Sequence, residues 1–447
     1  MDKHVLSKST FIRGSQCLKS LYLYKRRNFL RDPLSPEQRA KFVRGSEVGV
    51  YARNLFPGGI NCQPNSPSQY RKSVEKTRQV IRSGSHDVIY EAAIQYDGVL
   101  ILLDMLVKEN GKWKAYEIKS SLKISETYLA DAALQYHVLT RSGIDPADFS
   151  LVHINPSYVC NGGLDIHSLF HTQSVLEEVK KMQPWVEELI KKEKEILTAG
   201  HSPKIDIGNQ CHNPYPCEFI GHCWKHIKPG SIFDMASLSA SEKFELYNNG
   251  VIQMRDLPEE KLDSKVKKAE QRALISNTEE IEYEALAGHL NRIKPTFKFI
   301  FFLGRRPAIP VYQSYQPYDI DPVCISVCTE NMSADGTITW RNPADGFASD
   351  DRVFAFLSKY SDDNDTLLSY DADDLKAYLE SAAVRNPSLR SQAEVYMENI
   401  VELRPVFENL WYIHPGLRGD FSLVNIAGKM MDRDIGKLMA ITSDTLA

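Results

Sequence analysis

Residues 99–119 read VLILLDMLVKENGKWKAYEIK. Residues 99–107 are apolar except for Asp104. An unpaired carboxylate inside such a run is costly, so Asp104 is expected to be ion-paired, metal-bound or at a strand edge. Asn110-Gly111 is a hairpin signal, and 113–118 reads as the returning strand. Glu117 and Lys119 are two apart, so on a strand they share a face. Pairing through the turn brings Asp104 close to both. Two carboxylates and a lysine on one face suit a hard divalent cation such as Mg²⁺. Such an ion activates water for attack on phosphorus, and the lysine orients that water or stabilises the pentavalent transition state. The chemistry implied is phosphodiester hydrolysis.

Working outward, 88–93 reads as a strand set off by Asp97-Gly98, which makes a three-strand meander. Upstream, 9–31 reads as a helix capped by Ser9 and 39–55 as a second, ended by Pro57-Gly58-Gly59. Downstream come a helix over 128–141, a strand over 149–154 and a long charged helix over 173–198. This order is an α/β layout. Residues 205–230 have no period and are rich in Cys, His, Pro and Gly. Short helices over 236–290 surround Tyr247-Asn248-Asn249-Gly250-Val251, a turn of helix–hairpin–helix type that plain helical connectors also contain. From 295 onward β character returns in FKFIFFLG and PVCISVC, with helices over 372–383 and 391–404. The expected division is 1–230, 231–292 and 293–447.

The chain has 447 residues, 43% apolar and 25% charged, which excludes wholesale disorder, collagen and a disulfide scaffold. It contains no apolar run of the roughly 18 residues a membrane span needs, and no apolar segment of signal-peptide type near its start. The expected setting is therefore a reducing cytoplasm, without a membrane partner. Net charge is −4, but residues 1–60 carry 12 basic and 4 acidic side chains, a local excess of +8. Such an excess attracts phosphate backbones, although a solvated helix face has the same pattern. Cys211, Cys217 and Cys223 are spaced C-x5-C-x5-C, and Cys17 lies far upstream. Thiolates in an irregular loop suit an iron–sulfur cluster or zinc, and His212, His222 and His226 keep zinc open; buried free thiols are the remaining alternative. Cys62, Cys160, Cys324 and Cys328 read as core thiols.

The pattern Asp104…Glu117-Ile118-Lys119, followed by a helix with Gln135-Tyr136, resembles the PD-(D/E)xK nuclease superfamily. Within it the likeness is to the RecB-type branch, which includes the AddB helicase-nuclease and the CRISPR-adaptation exonucleases. The resemblance implies a restriction-endonuclease-like core in which Asp104 and Glu117 bind Mg²⁺ or Mn²⁺, Lys119 is catalytic, and Gln135 and Tyr136 belong to the supporting helix. Many members place a metal-binding His on the first helix; Arg44-Gly45-Ser46-Glu47-Val48-Gly49 has none, which makes Glu47 and Glu91 candidate substitutes. Members with a cluster use one Cys before the core and three after it, which implies a [4Fe–4S] cluster on Cys17, Cys211, Cys217 and Cys223, clipping the ends of the domain together. Lys19, Lys25, Arg26 and Arg27 would then line a nucleic-acid path, with Tyr22 and Tyr24 either stacking on bases or packing on the core.

Residues 295–447 resemble a DEDD-type exonuclease domain of RNase H fold, through FIFFL at 299–303, PAIPVY at 307–312, SYDA at 369–372 and FSL at 421–423. In that family the first strand carries an Asp-x-Glu pair; Phe301 and Leu303 occupy those positions here, and apolar side chains do not ligate Mg²⁺. The resemblance thus implies a degenerate second α/β domain acting as a scaffold or as a nucleic-acid or protein-binding surface, joined through a helical linker to an α/β core clipped by a cluster. The function implied is a metal-dependent DNA nuclease, an exonuclease preferring single-stranded ends. The alternative is a catalytically impaired nucleic-acid-binding or complex-assembly protein.

Overall fold

The computed structural model describes residues 5–34, 36–310, 312–328, 334–339 and 349–431. The chain forms two compact units, one comprising Met1–Lys225 with Ala308–Pro317 and the other His226–Pro307 with Tyr318–Ala447. Both are mixed α/β. No helix among the described residues is long and apolar enough to cross a membrane.

The first unit is built on a seven-stranded sheet. Its strands are β1 (Leu6–Ser7), β2 (Ile60–Asn61), β3 (Val88–Tyr96), β4 (Val99–Glu109), β5 (Lys112–Lys119), β6 (Asp148–Ile154) and β7 (Phe170–Ser174). Spatial order is β2-β3-β4-β5-β6-β7, with β1 pairing beside β4. β3, β4 and β5 are the antiparallel meander the sequence predicts. Both of its turns need two consecutive residues at positive φ, and Asp97-Gly98 and Asn110-Gly111 supply them. β6 runs parallel to β5, which requires a crossover. Helix α5 (Glu126–Arg141) makes it, capped by Ser125, whose hydroxyl accepts from the Tyr128 N–H. Its Ala132, Ala133, Leu134, Val138 and Leu139 pack into one core with Ile89, Leu103, Leu106, Phe149 and Leu151.

Two predicted helices are broken where the sequence reading runs through. Residues 9–31 form α1 (Lys8–Gln16) and α2 (Leu18–Arg26), followed by a 3₁₀ turn. Cys17 between them is extended, with φ −162° and ψ 115°, so its thiol is presented at a kink instead of on a helix face. The cap of α1 is Ser7, two residues earlier than the predicted Ser9, and its N–H donates to Thr10 Oγ1 at 2.7 Å. The predicted helix 173–198 begins as β7 and then divides into α6 (Leu176–Lys181) and α7 (Gln183–Thr198). Pro184 in the first turn of α7 lacks the N–H needed to continue α6. Helices α3 (Pro36–Ala52) and α4 (Tyr70–Ser83) also belong to this unit, as do two single-turn helices, Ile166–Leu169 and Ile220–Cys223.

The second unit carries a five-stranded sheet in the spatial order 334–339, 321–328, 297–305, 366–369, 400–402. Strand 321–328 runs antiparallel to both of its neighbours, 334–339 and 297–305, while 366–369 pairs parallel to 297–305 and 400–402 parallel to 366–369. Tyr378 and Tyr396 are fully buried in its core beside Phe354 and Leu357. Helices Ala240–Asn248, Lys265–Ser276 and Tyr283–Leu290 belong to this unit.

One buried acid in the first unit has no counter-charge. Glu193 of α7 is 0% exposed, and neither carboxyl oxygen has a hydrogen-bond partner among the described residues. It faces Gly14 of α1, where an added Cβ would lie 2.0 Å from Glu193 Oε1. Burial pushes its pKa up to about 9. A carboxyl that keeps its proton in the folded state to a higher pH than in the unfolded state contributes stability at low pH, which is lost as pH rises toward the folded value. Glu193→Gln, which mimics the protonated form, is therefore expected to match wild type near pH 4 and to exceed it increasingly toward pH 9. Urea unfolding across that range checks this, and parallel pH profiles would contradict it.

Candidate active site

The site is assembled on β4, β5 and α5. The register Met105↔Tyr116 steps on to set Asp104 opposite Glu117. Asp104 Oδ2 accepts the Ile118 N–H at 2.7 Å. Glu117 is 1% exposed. Its Oε1 accepts from Lys119 Nζ and from Lys8 Nζ, each at 2.7 Å, whereas Oε2 is buried without a partner among the described residues. Lys119 Nζ also binds Asp131 Oδ2, and Asp131 Oδ1 accepts from Gln135 Nε2 at 3.5 Å. Asp131 and Gln135 are one helical turn apart, so α5 presents both from a single face.

The electrostatics follow from burial without water. Burial, with Glu117 alongside, pushes the Asp104 carboxyl up to about 8. Burial also works to raise Glu117, but the ammonium groups of Lys119 and Lys8 outweigh it and hold that carboxylate below its ordinary value. Burial likewise disfavours the charge on Lys119, yet Asp131 and Glu117 keep its pKa above the ordinary range. Asp104 and Glu117 thus divide one problem: two like charges at close range cannot both ionise cheaply, so one keeps a proton. A divalent cation resolves it by replacing that proton, and the unpartnered Oε2 of Glu117 is a donor atom left for it. Hard carboxylate oxygens are the donor set Mg²⁺ and Mn²⁺ take.

The other candidates fall as follows. Glu91 of β3 lies across from Asp104, between the pairs Tyr90↔Met105 and Ala92↔Leu103. Its φ is +51°, a left-handed conformation that costs about 1–3 kcal/mol for a residue with a side chain. Arg53 Nη2 reaches Glu91 Oε1 at 3.1 Å, and burial raises the Glu91 pKa despite that partner. Glu47 is exposed on α3. Tyr136, one residue beyond Gln135, turns away from the carboxylates into the apolar core, with Lys180 and Asp145 as its charged neighbours. Of the predicted phosphate contacts, Lys19 Nζ donates to the Ile205 carbonyl at 2.9 Å and Arg26 Nη2 to that of Leu197 at 2.8 Å. Those two fasten α2 to the 197–205 segment. Lys25 is half-buried and Arg27 exposed. Tyr22 packs with Leu23 and Phe219, as a core contact.

Sequence reasoning missed Lys8, Asp131 and Arg53. Asp131 carries a signal in retrospect, as the acid one turn before Gln135 on an otherwise apolar face. Lys8 has none, being 109 residues from its partner Glu117.

Cys17, Cys211, Cys217 and Cys223 line one small cavity, walled by Ile207, Phe219 and Ile220. Burial and the neighbouring thiols raise the pKa of Cys17 and Cys223. One tetrahedral zinc at about 2.3 Å from each sulfur would require sulfurs about 3.8 Å apart. Among the described residues, no three cysteines bring their sulfurs within 4.8 Å of one another. Cys62 and Cys160 are buried elsewhere, while Cys324 and Cys328 lie on strand Asp321–Cys328.

In the second unit a cleft of about 880 Å³ is lined by Phe301, Tyr370, Asp371, Asp373 and Arg404, among others. Phe301 thus faces the cleft where the resemblance expects a carboxylate. Asp371, Asp373 and Glu402 bring oxygens within 4.8 Å of one another. Arg404 Nη1 pairs with Asp371 at 2.6 Å, and Lys376 pairs with Glu402.

No protein-family model matches the chain, and no curated protein does. Among solved structures, 43% of the chain is similar to 90% of an alkaline exonuclease (LHK-Exo) from Laribacter hongkongensis, at 13% identity and a TM-score of 0.26. A second, SSO0001, matches over 50% of this chain and 87% of its own, at 13% identity and a TM-score of 0.22. Overlays this loose carry no function across.

Asp104→Asn copies the protonated form of Asp104 in shape but cannot ionise. It is expected to be at least as stable as wild type without metal, with an advantage that grows as pH rises from 4 to 8, because the wild-type carboxyl resists ionisation only when folded. Mn²⁺ is expected to raise the melting temperature of wild type and not of the variant. Thermal scans with and without Mn²⁺ read both effects, and an equal Mn²⁺ response would remove Asp104 from the ligand set.

Proposed function

We propose that this chain is a divalent-metal-dependent DNA nuclease of RecB-type PD-(D/E)xK kind, acting as an exonuclease with preference for single-stranded ends. One observation carries the reading: Asp104 stands half-buried beside the buried Glu117, whose Oε2 has no partner among the described residues and whose Oε1 accepts from Lys119. Asp104 and Glu117 would hold Mg²⁺ or Mn²⁺, with Glu91 flanking them. When bound, the metal supplies an activated water and neutralises charge developing on the phosphate. Lys119 stays protonated between Glu117 and Asp131 and can turn its N–H groups toward the attacking oxygen or the transition state. Asp131 and Gln135 fix the direction of that ammonium. Burial excludes bulk water and strengthens each interaction.

The four cysteines that line one cavity are assigned to a [4Fe–4S] cluster. Their shared cavity and their thiolate chemistry support this. Cys17 precedes β2 to β7 and the other three follow them, so the cluster would tie the early part of this unit to a later one. The second unit is assigned as an RNase H-like domain without its own nuclease site, offering a surface to nucleic acid or protein. Its order of three antiparallel and then two parallel strands supports this.

Two experiments test the assignment. Labelled single- and double-stranded DNA is incubated with Mn²⁺ and either wild type or Lys119→Ala. Wild type is expected to cleave, with single strands preferred, and Lys119→Ala to be slower by at least ~100-fold at unchanged circular dichroism. Intact DNA with the wild-type protein would favour a nucleic-acid-binding platform instead. Separately, anaerobically purified protein is expected to carry about four iron and four labile sulfide per chain, and Cys17→Ser to lose most of both. Zinc without sulfide would overturn the cluster.

A further inference from the structure

Lys8 is the first residue of α1, outside the sheet on which the carboxylates stand. Its place is well defined. Leu6 and Ser7 pair parallel to Val99 and Leu100 of β4, and the Ser7 N–H is capped by Thr10. This brings Lys8 Nζ to 2.7 Å from Glu117 Oε1 and 3.9 Å from Asp131 Oδ2. Lys119 Nζ occupies the same Oε1 at 2.7 Å and also touches Asp131. Two ammonium groups therefore share one oxygen of a buried carboxylate.

One ammonium would satisfy that oxygen. The second has a use if the first must leave. Glu117 and Asp131 are both buried and cannot lose their counter-charge without a large penalty. If Lys119 alone balanced them, its approach to an attacking water would strand two buried anions. Lys8 removes that conflict. Its side chain is 29% exposed against 13% for Lys119, so it holds the pair from the solvent side while Lys119 lies deeper.

Resting on the nuclease reading above, we propose that Lys8 is a positioning residue for the same reaction: the resident counter-ion of Glu117 and Asp131, whose presence releases Lys119 for the attacking water and the phosphate. Lys8 acts through these neighbours and does not touch the substrate. It also adds a positive charge beside the metal carboxylates, so it opposes cation binding while favouring turnover.

That opposition provides the test. In the full-length protein, Lys8→Gln is expected to lower kcat at least ~10-fold with KM for single-stranded DNA unchanged, and to bind Mn²⁺ several-fold more tightly because a like charge has gone. A role confined to folding would weaken metal binding and activity together. Lys8→Arg keeps the charge and reaches both carboxylates, and is expected to restore kcat to within about threefold. An unchanged kcat in Lys8→Gln overturns the proposal, and so does a rise in KM alone, which would make Lys8 a phosphate contact. A kcat for Lys8→Arg as low as that of Lys8→Gln overturns it as well. Absence of cleavage by wild type would instead sink the nuclease reading. The Mn²⁺ titration still decides then, since binding to Lys8→Gln no tighter than to wild type overturns the counter-ion role.

Discussion

The first unit depends on keeping Glu117 charged inside protein. A carboxylate at 1% exposure is tolerated only because two ammonium groups converge on one of its oxygens. They come from different parts of the fold, one from the end of β5 and one from the start of α1. Asp131 must then balance Lys119, and Gln135 must satisfy Asp131. The members of the polar cluster are thus interdependent, and Glu117 Oε2 and Gln135 Oε1 are its buried atoms without a partner among the described residues. Asp104 stands at its edge, where burial and the neighbouring Glu117 raise its pKa.

The scaffold serves that cluster. The antiparallel β4–β5 pair sets Asp104 against Glu117 through hairpin register alone. The parallel β5–β6 step demands a crossover helix, and that helix carries Asp131 and Gln135 back over the same face. The short β1 strand pairs with β4 and delivers Lys8. Backbone hydrogen bonding therefore fixes each donor and acceptor to a place before any side chain chooses a rotamer. The left-handed φ of Glu91 lies in the same row, where surrounding sheet pairs hold a conformation the residue would not adopt alone.

The cysteines show how a local break does long-range work. A continuous helix over 9–31 would leave Cys17 on a helical face. The extended conformation at Cys17 instead turns it into the cavity that Cys211, Cys217 and Cys223 also line. Lys19 and Arg26, which the resemblance places on a nucleic-acid path, bond backbone carbonyls of the 197–205 segment and secure α2 beside that cavity. Charge density in sequence reports which residues are basic, not which already have partners.

The meander, its two turns, the crossover helix and the face shared by Asp104, Glu117 and Lys119 were legible in the sequence because each rests on local rules: period-two side-chain placement, positive-φ turn pairs and apolar residues at helical spacing. Gln135 was legible by resemblance, and Tyr136, named with it, points elsewhere because adjacent helical residues diverge by about 100°. What the sequence by itself determined was the strand that carries the carboxylates and the order of elements around it. Only the tertiary structure decided that Lys8 reaches Glu117, that Arg53 meets Glu91 and that Glu193 is left without a hydrogen-bond partner among the described residues. These are contacts between residues tens to hundreds of positions apart. Their energies depend on burial and distance, which no local pattern in a chain records.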